Sequence, residues 1–216
     1  GASDPYPTER LRMNRDEDAL PGLGVSALAS IGEVLWVGTS AGLARYDNDT
    51  ELFVPMPLPG GAAPVTDIAS ALDPGKRLVV ASPERVDFVD TVNGGGESIA
   101  FPGGTVTSVL VDGTTTWLGT DQGLRRITGS FPEPVEGAQG FAVHDMAMTS
   151  DGQLWLATTL GLRRYDGQSL VPVLASDGLI LDDDLRALFV DESDGALWVA
   201  SATGLSRLLG AEWTRY

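Results

Sequence analysis

The 216-residue sequence contains no cysteine and only one histidine, His144. Without cysteine the chain can form no disulfide, has no thiol nucleophile and offers no thiolate to a metal. A single imidazole also excludes any site that needs two histidines. No apolar run approaches the roughly 20 residues that a membrane-spanning helix requires, so we expect no membrane span in this chain.

Basic residues are scarce as well. Lysine and arginine number 14 against 30 aspartates and glutamates, which gives a net charge of −16 and a pI near 4.2. Phosphate groups would meet a repulsive field, so the composition excludes nucleic acid as a partner. We expect a monomer that binds a small polar ligand or a protein or peptide partner. The first ten residues, GASDPYPTER, lack a signal-peptide pattern, so we expect any export signal to have been removed.

One stretch of the chain recurs along its length. The segment DGQLWLATTLGLRRYDG (151–167) has counterparts in EVLWVGTSAGLARYDND from residue 33, TTTWLGTDQGLRRITGS from 114 and GALWVASATGLSRLLGA from 195. A weaker copy, KRLVVASPERVDFVDTV, starts at residue 76. The residues in the tryptophan column, 38 to 43 positions apart, are Trp36, Val79, Trp117, Trp155 and Trp198. A repeat of about 40 residues that reads as strands is typical of propeller blades.

Each unit is predicted to form four short strands. Asp112-Gly113, Asp151-Gly152 and Asp194-Gly195 precede the tryptophan runs and predict tight hairpins. A four-stranded meander cannot bury both faces alone, but blades arranged in a ring can. We therefore predict an all-β chain that forms a single β-propeller over 1–216, with five four-stranded blades around a central channel. The blades are predicted at about 25–60, 65–102, 106–138, 143–176 and 185–216.

Two segments compete for the outer edge of the last blade. The segment RLRMNRDEDALPGLGVSAL from Arg10 is similar to SLVPVLASDGLILDDDLRAL from Ser169, which predicts a closing strand within residues 1–24. The C-terminal AEWTRY, residues 211–216, also reads as a fourth strand. We predict that the ring closes by bringing both termini into the same blade, and the sequence leaves open which segment forms the outer strand.

The repeat pattern resembles a known family. Over residues 25–216 the pattern resembles the two-component regulator propeller repeat. The pattern consists of a valine, two residues on an apolar residue, then Asp-Gly, LW(V/L)(G/A)T, GL and RYD. The family occurs in extracytoplasmic sensor regions of bacterial hybrid kinases. The resemblance implies a non-enzymatic binding or sensing propeller and a periplasmic or extracellular location. The better-known sensors carry many more repeats and lead into a membrane helix, whereas the likeness here covers five units.

Ligand sites of propellers usually lie where the loops into the innermost strands meet the turns between second and third strands. Alternation along a strand predicts that adjacent residues of a first strand point to opposite faces, and we expect His144 to lie beside Arg186. The second blade, in which Ser82-Pro83-Glu84-Arg85 replaces the Gly-Leu turn, is a candidate for specialised function. The predicted ligand-binding residues on the channel face are Thr66, Asp67, Arg85, Thr107, Ser108, His144, Asp145 and Arg186.

The tryptophans are assigned to packing between blades, because each recurs once per unit and hides a large apolar area. The turn glycines, such as Gly161, are assigned to chain reversal. The acidic run Asp182, Asp183 and Asp184 is a candidate calcium site because carboxylate oxygens are ligands that Ca²⁺ prefers. No other cofactor is expected.

Two other functions are considered. A carbohydrate-binding propeller would repeat exposed aromatics in its loops, whereas Phe131 and Phe141 do not recur in register. A streptogramin-lyase-like enzyme shares the DG-LW pattern, but its catalytic site needs more than one histidine.

Deleting residues 1–14 tests the closure hypothesis. Because the N-terminal segment would join distant parts of the chain, the truncated protein is expected to unfold at a lower temperature than the parent, measured by circular dichroism. Identical melting curves would contradict closure by this segment.

Overall fold

The computed structural model describes residues 20–31, 33–70 and 77–216. Over these residues the chain is all-β, with twenty strands in five antiparallel sheets of four strands each. One short 3₁₀ turn, Ala175–Asp177, is the exception. The predicted all-β class and the five four-stranded units are confirmed. In these ranges, no helix has the length and apolar character that crossing a membrane would take.

The strands follow one another in chain order within each sheet. They are β1 (Val25–Ile31), β2 (Val34–Thr39), β3 (Gly42–Asp47), β4 (Leu52–Met56), β5 (Asp67–Ser70), β6 (Arg77–Ser82), β7 (Arg85–Asp90), β8 (Gly96–Ala100), β9 (Val106–Asp112), β10 (Thr115–Thr120), β11 (Gly123–Ile127), β12 (Glu133–Gln139), β13 (Val143–Met148), β14 (Leu154–Thr158), β15 (Gly161–Tyr165), β16 (Leu170–Val173), β17 (Leu185–Val190), β18 (Leu197–Ser201), β19 (Leu205–Leu209) and β20 (Glu212–Arg215).

Each sheet is a meander in which every strand pairs with the next one along the chain. Hairpins join the first and second strands, and the Asp-Gly pairs lie in them as predicted. Gly113, Gly152 and Gly195 have φ angles of +56°, +79° and +74°. Positive φ costs little only for glycine, so local sequence alone specifies these turns.

Consecutive blades pack face to face, and the tryptophan column lies at these contacts. Trp36 belongs to a buried cluster with Val65 and Ile68 of the next blade, and Trp155 to one with Leu185 and Leu188. Trp117 packs in the same way on the fourth blade. The packing role predicted for these three tryptophans is confirmed.

The two ends of the array remain without such a contact in the described residues. Val25 and Leu28 of the first blade are 51% and 63% exposed, whereas their counterparts Val65 and Ile68 are only 3% and 6% exposed. At the other end Phe189 is 63% exposed. Among the described residues β17 makes no contact with β1 comparable to those between other successive first strands. Closure of the ring is therefore not shown.

The outer strand of the fifth blade is β20, which pairs with β19. The C-terminal segment thus takes the position for which two segments compete. The N-terminal closing strand predicted within 1–24 falls mainly on residues 1–19, which lie outside the described residues.

Replacing one tryptophan with alanine distinguishes a blade contact from an end of the array. Trp155→Ala is expected to lower the free energy of unfolding by about 3–5 kcal/mol, because it leaves a cavity between two blades. Trp198→Ala is the matched control, since Trp198 is only half-buried and stacks on Tyr216. Trp198→Ala should lower the free energy of unfolding by clearly less than Trp155→Ala, as measured by urea denaturation. Equal losses would contradict the assignment.

Candidate functional site

The meander gives the array two faces. First strands begin at one face, where the links between blades and the turns between second and third strands also lie. We call this the crossover face. The opposite face carries the hairpins between first and second strands and those between third and fourth strands, and we call it the hairpin face.

In the first, third, fourth and fifth blades the first strand carries a β-bulge near its start, whereas β5 of the second blade pairs without one. In the fourth blade Val143 pairs with Thr158 and Asp145 with Ala157, so that His144 is an extra residue. The first and fifth blades show the same shift at Ser26 and Arg186. A bulge leaves two neighbouring residues opposite one partner and bends the strand. The prediction that adjacent residues here point to opposite faces is therefore wrong, because the bulge interrupts the alternation.

The extra residue of the bulge bonds to the following blade. Ser26 Oγ donates to the carbonyl of Val65 at 2.6 Å, and Thr107 Oγ1 donates to the carbonyl of Val143 at 2.5 Å. In the fourth blade His144 Nδ1 lies 3.1 Å from the carbonyl of Leu185. A carbonyl only accepts, so Nδ1 carries the proton in this contact.

The next position along the first strand is an aspartate in the second and fourth blades, and its carboxylate also bonds to the following blade. Asp67 accepts hydrogen bonds from the amides of Ile68 and Val109, both at 2.8 Å. Asp145 accepts from the amides of Met146 and Leu188, at 2.8 and 2.7 Å.

The pKa values of both carboxyls are displaced upward. Burial raises the pKa of Asp67 to about 6, against the lowering effect of its two amide donors, and the charge of Asp145 adds to the rise. Burial likewise raises the pKa of Asp145, although two amides oppose it. These carboxylates join blade two to three and blade four to five.

The other predicted residues are distributed as follows. Thr66 Oγ1 and Ser108 Oγ are buried and make no hydrogen bond within the described part of the chain. Arg186 follows Leu185, whose carbonyl His144 contacts, but its exposed guanidinium donates to Asp184 at 2.8 Å. Ligand binding by the first-strand residues stays a prediction, and the contacts formed in this structure are structural.

The acidic run does not converge on one point. Asp183 accepts from the amide of Ala175 at 2.8 Å, and Asp182 from the amide of Asp184 at 2.9 Å. Over residues 20–31, 33–70 and 77–216, no three His, Cys, Asp or Glu side chains are grouped to hold a metal ion. Calcium binding by Asp182, Asp183 and Asp184 stays a prediction.

One pocket lies on the crossover face between the third and fourth blades. It has a volume of about 630 Å³. Its walls are the turn at Asp121 and Gln122, the outer strand at Gln139, and the link that ends at Phe141. Phe141 itself is buried, and the guanidinium of Arg163 lies 4.7 Å from its ring centre.

The second pocket also opens on the crossover face and contains Arg85. We call it the second-blade pocket; its volume is about 470 Å³. Arg85 Nε donates to Asp87 at 2.8 Å, and its Nη2 donates to the carbonyl of Gly61. Asp87 is fully buried and also accepts from the amide of Gly60 at 2.8 Å. The pair therefore holds the link between blades one and two. The residues that line the pocket are Gly60, Ala63, Pro64, Ser82, Pro83, Glu84, Arg85, Ser98 and Ala100.

Sequence reasoning found Arg85 but not its partner Asp87. Residues two apart on a strand share a face, so the pairing of Arg85 with Asp87 within RVDFVD was available as a signal. The contact with Gly60 and Gly61 was not, because it joins segments that are more than 20 residues apart.

Comparisons with known proteins identify the fold. No family model matches the sequence, and no curated protein matches it. Solved structures do match, all at low identity. The extracellular domain of the hybrid two-component system protein BT4673 of B. thetaiotaomicron is 21% identical, with a TM-score of 0.71 over 85% of this chain and 27% of that chain. The corresponding domain of BT3049 is 19% identical, with a TM-score of 0.74 over 93% and 29%.

A third match is PorZ of Porphyromonas gingivalis, a surface component of the type-IX secretion system. It is 18% identical, with a TM-score of 0.69 over 92% of this chain and 34% of that one. This chain therefore spans about a quarter to a third of the length of the structures it matches. At these identities the likeness shows the fold alone.

The raised pKa of Asp67 makes stability depend on pH. Since folding favours the protonated carboxyl relative to an ordinary value of 3.8, the free energy of unfolding should fall as the pH rises from about 4 to about 6, then level off. The largest loss that such a shift allows is about 3 kcal/mol. Asp67→Asn has no carboxyl to titrate at this position. The difference in the free energy of unfolding between the parent and this variant, measured by urea denaturation, should therefore change over this pH range.

Asp166→Asn is the control for this pH dependence. Asp166 is exposed, and hydrogen bonds from Ser169 and Gln168 lower its pKa. Its contribution should therefore be lost as the pH falls below about 4, in the opposite direction to that of Asp67. A pH-independent difference between the parent and Asp67→Asn would contradict the raised pKa.

Proposed function

We propose that this chain is a non-enzymatic, sensor-type propeller that works outside the cytoplasm and binds a small ligand in the pockets of its crossover face. The observation that carries the proposal is the location of these two pockets. Both open on the face where propellers usually bind ligands, and both are lined by turns between second and third strands. Their volumes, about 630 and 470 Å³, fall within the range of small-molecule sites.

The environment of the one histidine supports a non-enzymatic role. Nucleophilic catalysis needs a hydroxyl within hydrogen-bond reach of its base. In the described part of the chain His144 bonds through Nδ1 to the carbonyl of Leu185, and no hydroxyl is hydrogen-bonded to its other ring nitrogen. The carboxylate of Asp145 accepts two backbone amides and does not pair with the histidine.

The location outside the cytoplasm is supported by the fold. The matching structures include extracellular domains of two-component system proteins and a bacterial surface component. The sequence resemblance points to the same class. In this setting the chain would report the presence of a ligand to a partner, which is a protein or peptide rather than nucleic acid.

The positions of the aromatic side chains argue against a carbohydrate-binding role. Sugar sites of propellers present open aromatic faces, whereas Arg163 covers the ring of Phe141 in the pocket between the third and fourth blades. Phe131 is exposed but lies in the link between β11 and β12, on the hairpin face.

A ligand screen with site mapping tests the proposal. Small polar metabolites, oligosaccharides and short peptides are added to the full chain, and unfolding is followed by thermal shift. A ligand at 100 times its Kd should raise the Tm by about 5 to 10 °C for a chain of this size. Hydrogen exchange should then slow at residues 82–85 or 121–123 on the crossover face, and stay unchanged at hairpins 112–115 and 151–153.

The hairpins serve as the internal control of this experiment. Protection confined to the hairpin face would contradict binding at the crossover face. Turnover of any bound compound, followed by mass spectrometry, would contradict the non-enzymatic assignment.

A further inference from the structure

The turn between the second and third strands follows one plan in four of the five blades. A hydroxyl at the end of the second strand donates to the carbonyl of the glycine that opens the third. The four bonds are Thr39 to Gly42 at 2.9 Å, Thr120 to Gly123 at 2.7 Å, Thr158 to Gly161 at 2.6 Å and Ser201 to Gly204 at 3.1 Å.

The second blade departs from this plan. Ser82 occupies the hydroxyl position and Arg85 replaces the glycine, whose φ in the other blades lies between +84° and +156°. Among the described residues Glu51 is the only non-glycine with positive φ, so the chain reverses differently at Arg85. As a result, Ser82 loses the carbonyl that the other hydroxyls bind.

Ser82 is buried without a partner. Its side chain is 1% exposed, it lines the second-blade pocket, and its Oγ makes no hydrogen bond in the part of the chain that the structure describes. Leaving a buried hydroxyl unpaired costs free energy. An acceptor atom of a ligand in this pocket would remove that cost.

Arg85 supplies a second, immobilised donor beside it. Two of its contacts, to buried Asp87 and to the carbonyl of Gly61, fix the guanidinium in place. A guanidinium has five N–H groups, so three remain for a further acceptor. A planar fork of this kind matches the two oxygens of a carboxylate.

The charge around the pocket restricts which carboxylate can bind. Arg85 is already neutralised by Asp87, exposed Glu84 lies on the pocket wall, and the whole chain carries a net charge of −16. These charges repel a simple anion. A ligand that carries a cationic group next to its carboxylate avoids the repulsion and gains an attraction to Glu84.

We propose that the second-blade pocket binds a small α-amino acid. Its carboxylate accepts hydrogen bonds from Ser82 and Arg85, and its ammonium group faces Glu84. A pocket of about 470 Å³ also leaves room for the side chain. The inference rests on the proposed function, because it specifies the ligand for one of the two crossover pockets.

Calorimetry on the full chain tests the ligand chemistry. The probes are individual L-amino acids, the corresponding amines without the carboxylate, and the corresponding carboxylic acids without the amine. Only compounds with both groups are expected to bind well, and loss of either group should weaken binding at least about tenfold, as for one charge-assisted hydrogen bond.

Two serine variants locate the binding. Ser82→Ala is expected to weaken amino-acid binding about tenfold and to leave the Tm unchanged, since it removes a hydroxyl without a partner. Ser201→Ala is the matched control at the equivalent turn. It breaks the bond to Gly204, so it should lower the Tm by about 2 to 4 °C and leave the affinity unchanged. Glu84→Gln should weaken binding of amino acids but not of carboxylic acids.

Three outcomes overturn the inference: no amino acid binds, Ser82→Ala binds as tightly as the parent, or the amines or acids alone bind equally well. Each is distinguishable from failure of the proposed function. If another class of compound binds and protects the crossover face from hydrogen exchange, the proposed function stands while the amino-acid inference falls.

Discussion

Packing of each blade against the next is the interaction on which the structure depends. A single four-stranded meander exposes two faces, and the contacts of Trp36 and Trp155 with the following blade bury one of them. The same columns that are buried inside the array are exposed at its two ends, at Leu28 and Phe189. Stability is therefore shared between neighbours, as in other repeat proteins, and no blade has a complete core of its own.

The bulge in the first strand adds polar contacts to this packing, because the polar residues near it bond to the following blade. It turns residues such as His144 and Asp145 toward the next blade, where they bond to backbone atoms. Side chains that look like a polar site in the sequence thus join blades. The turns of the crossover face differ in side chains from blade to blade, while the packed sheets hold their backbone in place.

The second blade shows how a repeat can change its turn without losing its fold. Val79 takes the tryptophan position and still packs on the third blade. Arg85 takes the glycine position, and the buried carboxylate of Asp87 compensates its charge. The turn remains, but the hydroxyl of Ser82, whose counterparts close the turn in the other blades, is buried without a hydrogen bond among the described residues, and Ser82 lines the second-blade pocket. One repeat can therefore vary because its neighbours maintain the array.

Local sequence determined the strands, the hairpins at Gly152 and Gly195, and the packing role of Trp155, because periodicity and turn chemistry act over a few residues. Comparing the copies also identified the second blade as different. Only the tertiary structure decided that His144 is a bulge residue, that Asp67 bonds to Val109, and that Asp87 holds Gly60. These contacts join residues more than 10 positions apart, or depend on a one-residue shift in strand register, and neither is encoded in the spacing of a single repeat.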